Sequence, residues 1–121
     1  MDWKYLLTSL EGRINRAKFW AGVGVVWAVT IVAQLIDAFT GIVLIPLQEG
    51  IGFGPLTVLA MLASIYVGIA LYAKRWHDRD KSGWWTLIIF VPIVGAIWLI
   101  VECGILPGTK GSNRFGPDPL G

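Results

Sequence analysis

Three long apolar blocks, separated by short polar ones, organise this chain. The first runs from Phe19 to Phe39, the second from Pro55 to Ala73 and the third from Trp84 to Leu106. Each is near the ~20 residues that cross about 30 Å of hydrocarbon. Backbone groups in lipid must be satisfied within the segment, so the pattern predicts helices. No ten-residue alternation points to a membrane barrel. The expected fold class is all-α: a polytopic membrane protein, one domain over 1–121, with three transmembrane helices at 19–39, 55–73 and 84–106. A Gly/Pro-rich tail covers 107–121.

A shorter pattern precedes the first block. Trp3, Leu6, Leu7 and Leu10 share one helical face at i, i+3, i+4 and i+7. This predicts an amphipathic helix over 2–11 lying in the membrane surface, ended by Gly12. Asn15 is placed to cap the first span. The first apolar block begins too late and runs too long for a cleaved signal peptide.

Composition agrees: 55% of the 121 residues are hydrophobic and only 15% charged. Lys4, Arg13, Arg16 and Lys18 precede the first span, Lys74, Arg75, Arg79 and Lys81 follow the second, and 19–73 holds no Lys or Arg. The 40–54 stretch carries only Glu49. An excess of cations marks the cytoplasmic side, which places the N-terminus and the 74–83 segment there. Three spans then put the tail outside, although it carries Lys110 and Arg114. The alternative is a broken hairpin at 84–106, pivoting near "VPIVG", where Pro92 removes a donor and Gly95 loosens the helix. The run is short for two full crossings, so three spans stand as the expectation. On that reading Glu102 lies about 27 Å from Trp84, near the outer interface with Asp37. Trp20, Trp76, Trp84 and Trp85 then form a cytoplasmic aromatic belt.

The most charged stretch is "KRWHDRDKSGWW", 74–85. It reads as a polar turn: Lys74 and Arg75 suit a helix C-terminus, and Ser82 caps the next helix. His77, Asp78 and Asp80 remain. His77 is the sole histidine and Cys103 the sole cysteine. A metal-dependent His-Asp centre needs further ligands from elsewhere, and no metal, cofactor or disulfide is expected. Small residues at Gly22, Gly24 and Ala28, and at Ala60, Ser64 and Gly68, suit close helix packing or self-association.

Three stretches together, "GRINRAKFW" (12–20), "RWHDRDKSGWW" (75–85) and "GTKGSNRFGPDP" (108–119), resemble the hallmark segments of domain-of-unknown-function family 805, small bacterial inner-membrane proteins. The resemblance implies a multi-pass protein of the bacterial cytoplasmic membrane and supplies no reaction, ligand or partner. It marks Arg13, Arg16, His77, Asp78, Asp80, Ser82, Trp84, Asn113, Phe115 and Gly116 as functional or fold-holding candidates. Without Gly116, and with Arg75, Arg79 and Arg114, these make the candidate binding set of twelve.

The expected function is a non-enzymatic interaction module. Arg13, Arg16, Lys18, Lys74, Arg75, Arg79 and Lys81 would face anionic lipid headgroups or a partner protein, each worth ~1 kcal/mol near an anionic surface. The alternatives are an oligomeric transporter or channel subunit using Asp37 or Glu102, and a membrane enzyme with His77 and Asp78 as acid and base. Nucleic acid is not an expected partner.

Overall fold

The structure, a computed structural model, describes residues 2–48 and 51–120; Glu49, Gly50 and the two end residues lie outside them. Two long helices form the frame: α2 (Arg16–Thr40) and α3 (Pro55–Asp78). At 1.5 Å per residue each is about 36 Å long, enough for the hydrocarbon layer. Both are apolar enough to cross a membrane. Asn15 caps α2, its side chain accepting from the Lys18 amide at 2.8 Å, as the sequence predicts.

The helices are joined at the far end by a structure the all-α expectation missed. Strands β1 (Ile45–Gln48) and β2 (Ile51–Phe53) form a small antiparallel hairpin. Beneath it, Asp37 caps α3 from across the chain. Its carboxylate accepts from the Thr57 amide and hydroxyl, each at 2.7 Å, and from the Leu56 amide at 3.3 Å. Gly54, at the cap position, has no side chain to do this. A carboxylate there also meets the positive end of the helix dipole.

The third apolar block is not a single span. Gly83–Phe90 is a 3₁₀ helix, Val91–Ile93 is a tight turn, and the chain returns through α4 (Val94–Leu99) and a π-helical turn (Ile100–Ile105). The outward arm rises about 16 Å at 2 Å per residue. The twelve-residue return covers about 18 Å. The arms match, and each is about half a bilayer. This corrects the 84–106 span in favour of the hairpin. Pro92 lacks the N–H that would carry the helix onward. Ile93 turns the chain at φ +67, and the Val94 amide reaches back to the Pro92 carbonyl at 2.7 Å. Gly95 lets the arms close: a Cβ there would lie 1.8 Å from the Ile88 carbonyl oxygen. Glu102 therefore returns to the end where the block began.

At the N-terminus, α1 spans only Trp3–Thr8 and ends at Ser9, not Gly12. Leu6 is buried with Ile14, Phe19, Leu71, Trp76, Leu99 and Cys103, while Trp3 and Leu10 stay exposed. The Tyr66 hydroxyl donates to the Thr8 carbonyl at 2.6 Å, and Lys74 donates to the Ser9 carbonyl. Trp76 leaves the aromatic belt for this core, being fully buried; Trp20, Trp84 and Trp85 remain exposed. Gly22 packs against Leu71 and Ala60 is buried, whereas a Cβ on Gly24 or Gly68 would meet nothing.

Two substitutions separate the hairpin's causes. Gly95→Val should abolish the folded state in detergent, because the arms cannot part by the required distance. Ile93→Gly should raise the thermal midpoint, since a left-handed φ costs a residue with a Cβ about 1–2 kcal/mol. A lowered midpoint for Ile93→Gly would show that the turn is held by the Ile93 side chain.

Candidate functional site

The return of the third block brings the three motifs to one end of the molecule. α3 does not stop at Ala73 but continues to Asp78, so Lys74 to Asp78 are helical and face the interior. The segment read as a wet turn is therefore mostly buried: Lys74, Arg75, Trp76 and Asp78 are each at most 3% exposed.

Asp78 is the centre. One carboxylate oxygen accepts from Arg13 Nε at 3.1 Å and the other from Arg75 Nη1 at 2.6 Å. Both guanidiniums are buried. Arg75 also donates to the carbonyls of Cys103 (2.6 Å), Ile14 (3.1 Å) and Leu106 (2.8 Å). Arg13 donates to those of Thr109 (2.6 Å), Gly111 (2.7 Å) and Gly116 (3.0 Å). Each fork thus joins segments far apart in sequence, a task that fits planar guanidinium with its five fixed donors. The tail is sewn down further by the Thr109 amide on the Asp78 carbonyl at 2.6 Å. Gly108 has to be glycine, because a Cβ would lie 1.9 Å from Asp78 Oδ2.

His77 packs beside this centre. Its Nδ1 pairs with the Gly12 carbonyl at 2.9 Å, and its ring stacks on Phe115 at 4.1 Å between centroids. Asn113 donates to the His77 carbonyl at 2.9 Å and accepts from the Phe115 amide, which shapes the Asn113–Gly116 turn. Arg79 and Lys81 converge on Glu102 at 2.7 and 2.8 Å. Glu102 was expected at the opposite end; the hairpin explains the correction. Arg114 and Asp80 form an exposed pair at 3.3 Å. Ser82 caps the 3₁₀ helix, and Trp84 is 78% exposed. Arg16 is exposed and donates to the Ile105 carbonyl at 2.7 Å. In the tail, the amides of Leu120 and Gly111 hold the Asp118 carboxyl below its ordinary range.

All twelve candidates thus lie at one end, but not as one exposed face. Of the seven cations expected to meet headgroups, Arg13, Lys74 and Arg75 are buried, and Arg79 and Lys81 share the one carboxylate of Glu102. Sequence reasoning missed Glu102 as their partner, and also Lys110 and Asp118, which line a cleft of about 280 Å³ with Arg16. A carboxylate returning after a Pro-Ile-Val-Gly turn was the available signal for Glu102.

These features define a small helical membrane protein whose polar end is closed by its own arginines. The chain belongs to the family described as protein of unknown function (DUF805), whose pattern matches residues 7–117. It is 35% identical over 125 residues to the inner membrane protein YhaH of Escherichia coli strain K12, across 98% of this chain and 97% of that one. It is 35% identical over 113 residues to the inner membrane protein YhaI of the same strain, across 92% and 86%. The uncharacterized protein YiiR of that strain is 24% identical across 93% and 86%. No solved structure matches the chain.

Asp78→Asn should destabilise the fold by about 3–5 kcal/mol, because two buried guanidiniums lose their shared counter-charge. Asp80→Asn should cost less than about 1 kcal/mol, since its pair is exposed. Denaturant or thermal titration of the two purified variants measures the contrast, and equal losses would contradict it.

Proposed function

We propose that this protein is a non-enzymatic module of the bacterial inner membrane, with both termini in the cytoplasm, whose cationic end face meets anionic lipid headgroups. The carrying observation is that all ten Lys and Arg residues fall in 4–18 and 74–114, segments that the fold gathers at one end. Asp37 is the charged residue described at the other. Such an asymmetry orients a membrane protein with the cations inside. The names of YhaH and YhaI as inner membrane proteins support the compartment.

The headgroup-facing charge on this reading is Lys4, Arg16, Lys18 and Lys110. None has a carboxylate partner among the described residues. Trp20 and Trp84 sit at the same level as interfacial anchors. Two observations weigh against acid-base chemistry by His77 and Asp78. Both Asp78 oxygens hold guanidiniums, and the His77 ring is covered by Phe115 with one nitrogen on Gly12. Of the two carboxylates a transporter would use, Asp37 has both oxygens engaged in capping α3 and Glu102 holds Arg79 and Lys81.

Paired cytoplasm-active and periplasm-active reporters, fused in turn to each terminus, should both report cytoplasm; a periplasmic C-terminus would sink the orientation. In polymer-extracted nanodiscs, phosphatidylglycerol should be enriched several-fold over its bulk share. Lys4→Gln with Lys18→Gln, or raised salt, should lower that enrichment, because exposed charges are screened. Enrichment unchanged by both would refute the electrostatic surface.

A further inference from the structure

The cleft between the start of α2 and the tail carries a more specific reading, which rests on the headgroup-facing orientation proposed above. Its walls include Arg16, Asp78, Lys110, Asp118 and Leu120. At about 280 Å³ it lies just under the ~300 Å³ where small-molecule pockets begin, a size that admits a headgroup.

Its electrostatics select the ligand's sign. Arg16 and Lys110 flank the cleft, both exposed and neither paired with a carboxylate among the described residues. Two carboxylates also line it, but their oxygens are already occupied. Asp78 holds Arg13 and Arg75, and Asp118 accepts from the Gly111 and Leu120 amides. Counting the two guanidiniums behind Asp78, four cations meet two anions. Arg16 anchors only one of its guanidinium nitrogens, Nη1 on the Ile105 carbonyl, which leaves Nη2 and Nε for an oxyanion.

The surroundings are those of a lipid site. Ile105 and Leu120 are 55% and 77% exposed, and Trp20 stands half-exposed with its indole N–H on the Gly104 carbonyl at 2.9 Å. We propose that this cleft seats one phosphate group, gripped by Arg16 and Lys110, with a phospholipid headgroup as its membrane source and free phosphate as the other source of the same chemistry.

The test uses the full chain in a mild detergent. Backbone amide resonances of residues 16–17 and 108–110 are followed while short-chain phosphatidylglycerol, or inorganic phosphate, is added. Saturable shifts at both segments with the lipid alone assign a headgroup site; equal shifts with inorganic phosphate assign a free-phosphate site. No saturable shift with either overturns the proposal. Lys110→Gln should weaken binding about fivefold, while Gln34→Ala, exposed on the far part of α2, leaves it unchanged. Lys110 makes no described side-chain bond, so its variant reports on the cleft even where Arg16→Gln fails to fold. If binding is lost in the Lys4, Lys18 variant and kept in Lys110→Gln, the cleft is refuted while the charged surface stands. Binding confined to the cleft, with no enrichment in nanodiscs, would refute the surface instead.

Discussion

The carboxylate of Asp78 holds this structure together. It sits at the C-terminal end of α3 and carries two guanidiniums, one from the segment before α2 and one from a turn earlier on its own helix. Two buried cations against one anion leave a net positive charge in a poorly hydrated place, which is costly unless other dipoles answer it. Six backbone carbonyls do so, three on each arginine. The negative end of the α3 dipole adds to them. Those carbonyls belong to the loop before α2, the end of the π-helical turn and the tail. The Gly116 carbonyl also accepts from the Asn113 amide at 3.0 Å, but the other five lie in loops or at a helix end, so each needed a donor from somewhere. The arginines supply it, and in doing so fix where three otherwise independent segments lie.

The hairpin follows from the same constraint. Cys103 and Leu106 give their carbonyls to Arg75, and Glu102 takes Arg79 and Lys81. A straight third helix would carry all of these to the far side of the bilayer. Arg75 would then keep only Asp78 and the Ile14 carbonyl, Arg79 and Lys81 would lose their carboxylate, and Glu102 would end alone. The turn at Val91–Ile93 places an unfavourable φ on a β-branched residue. The bonds formed at the base outweigh that local strain by their number.

Much of this was legible in the sequence, and the failures have a common cause. The two long helices, the Asn15 and Ser82 caps and the clustering of cations all follow from local pattern. The break at "VPIVG" was visible too, since Pro92 and Gly95 are local signals. Length argued against it: 23 apolar residues make one span, and nothing in hydropathy distinguishes a span from a half-depth hairpin. Glu102 went wrong with it, because a charge at a block's end is assigned to whichever side the block exits. Trp76 was read as an interfacial anchor because α3 was ended at Ala73. Hydropathy falls at Lys74, but burial does not, since Lys74 and Arg75 carry their charges to internal carbonyls. The β1–β2 hairpin was hidden by its Gly-rich composition.

That pattern of engagement also decides how the shared motifs should be understood. A His-Asp pair within a cluster of arginines looks like chemistry when read as a string. In space, Arg13 and Arg75 each bridge four acceptors, more than the three donors of a lysine ammonium could hold and in a fixed planar geometry it lacks. His77 offers a flat face to Phe115 and one nitrogen to Gly12. Asn113 bonds the His77 carbonyl and then its own turn. These are the properties of connectors. A ligand's affinity then has to come from groups the scaffold leaves over. At this end those are the exposed Lys4, Arg16 and Lys110 and the half-buried Lys18, whose only fold-holding side-chain bond is that of Arg16 to Ile105. The buried residues of the motifs build the platform, and on the proposed reading the exposed charges of the same segments, with Lys4, stand on it.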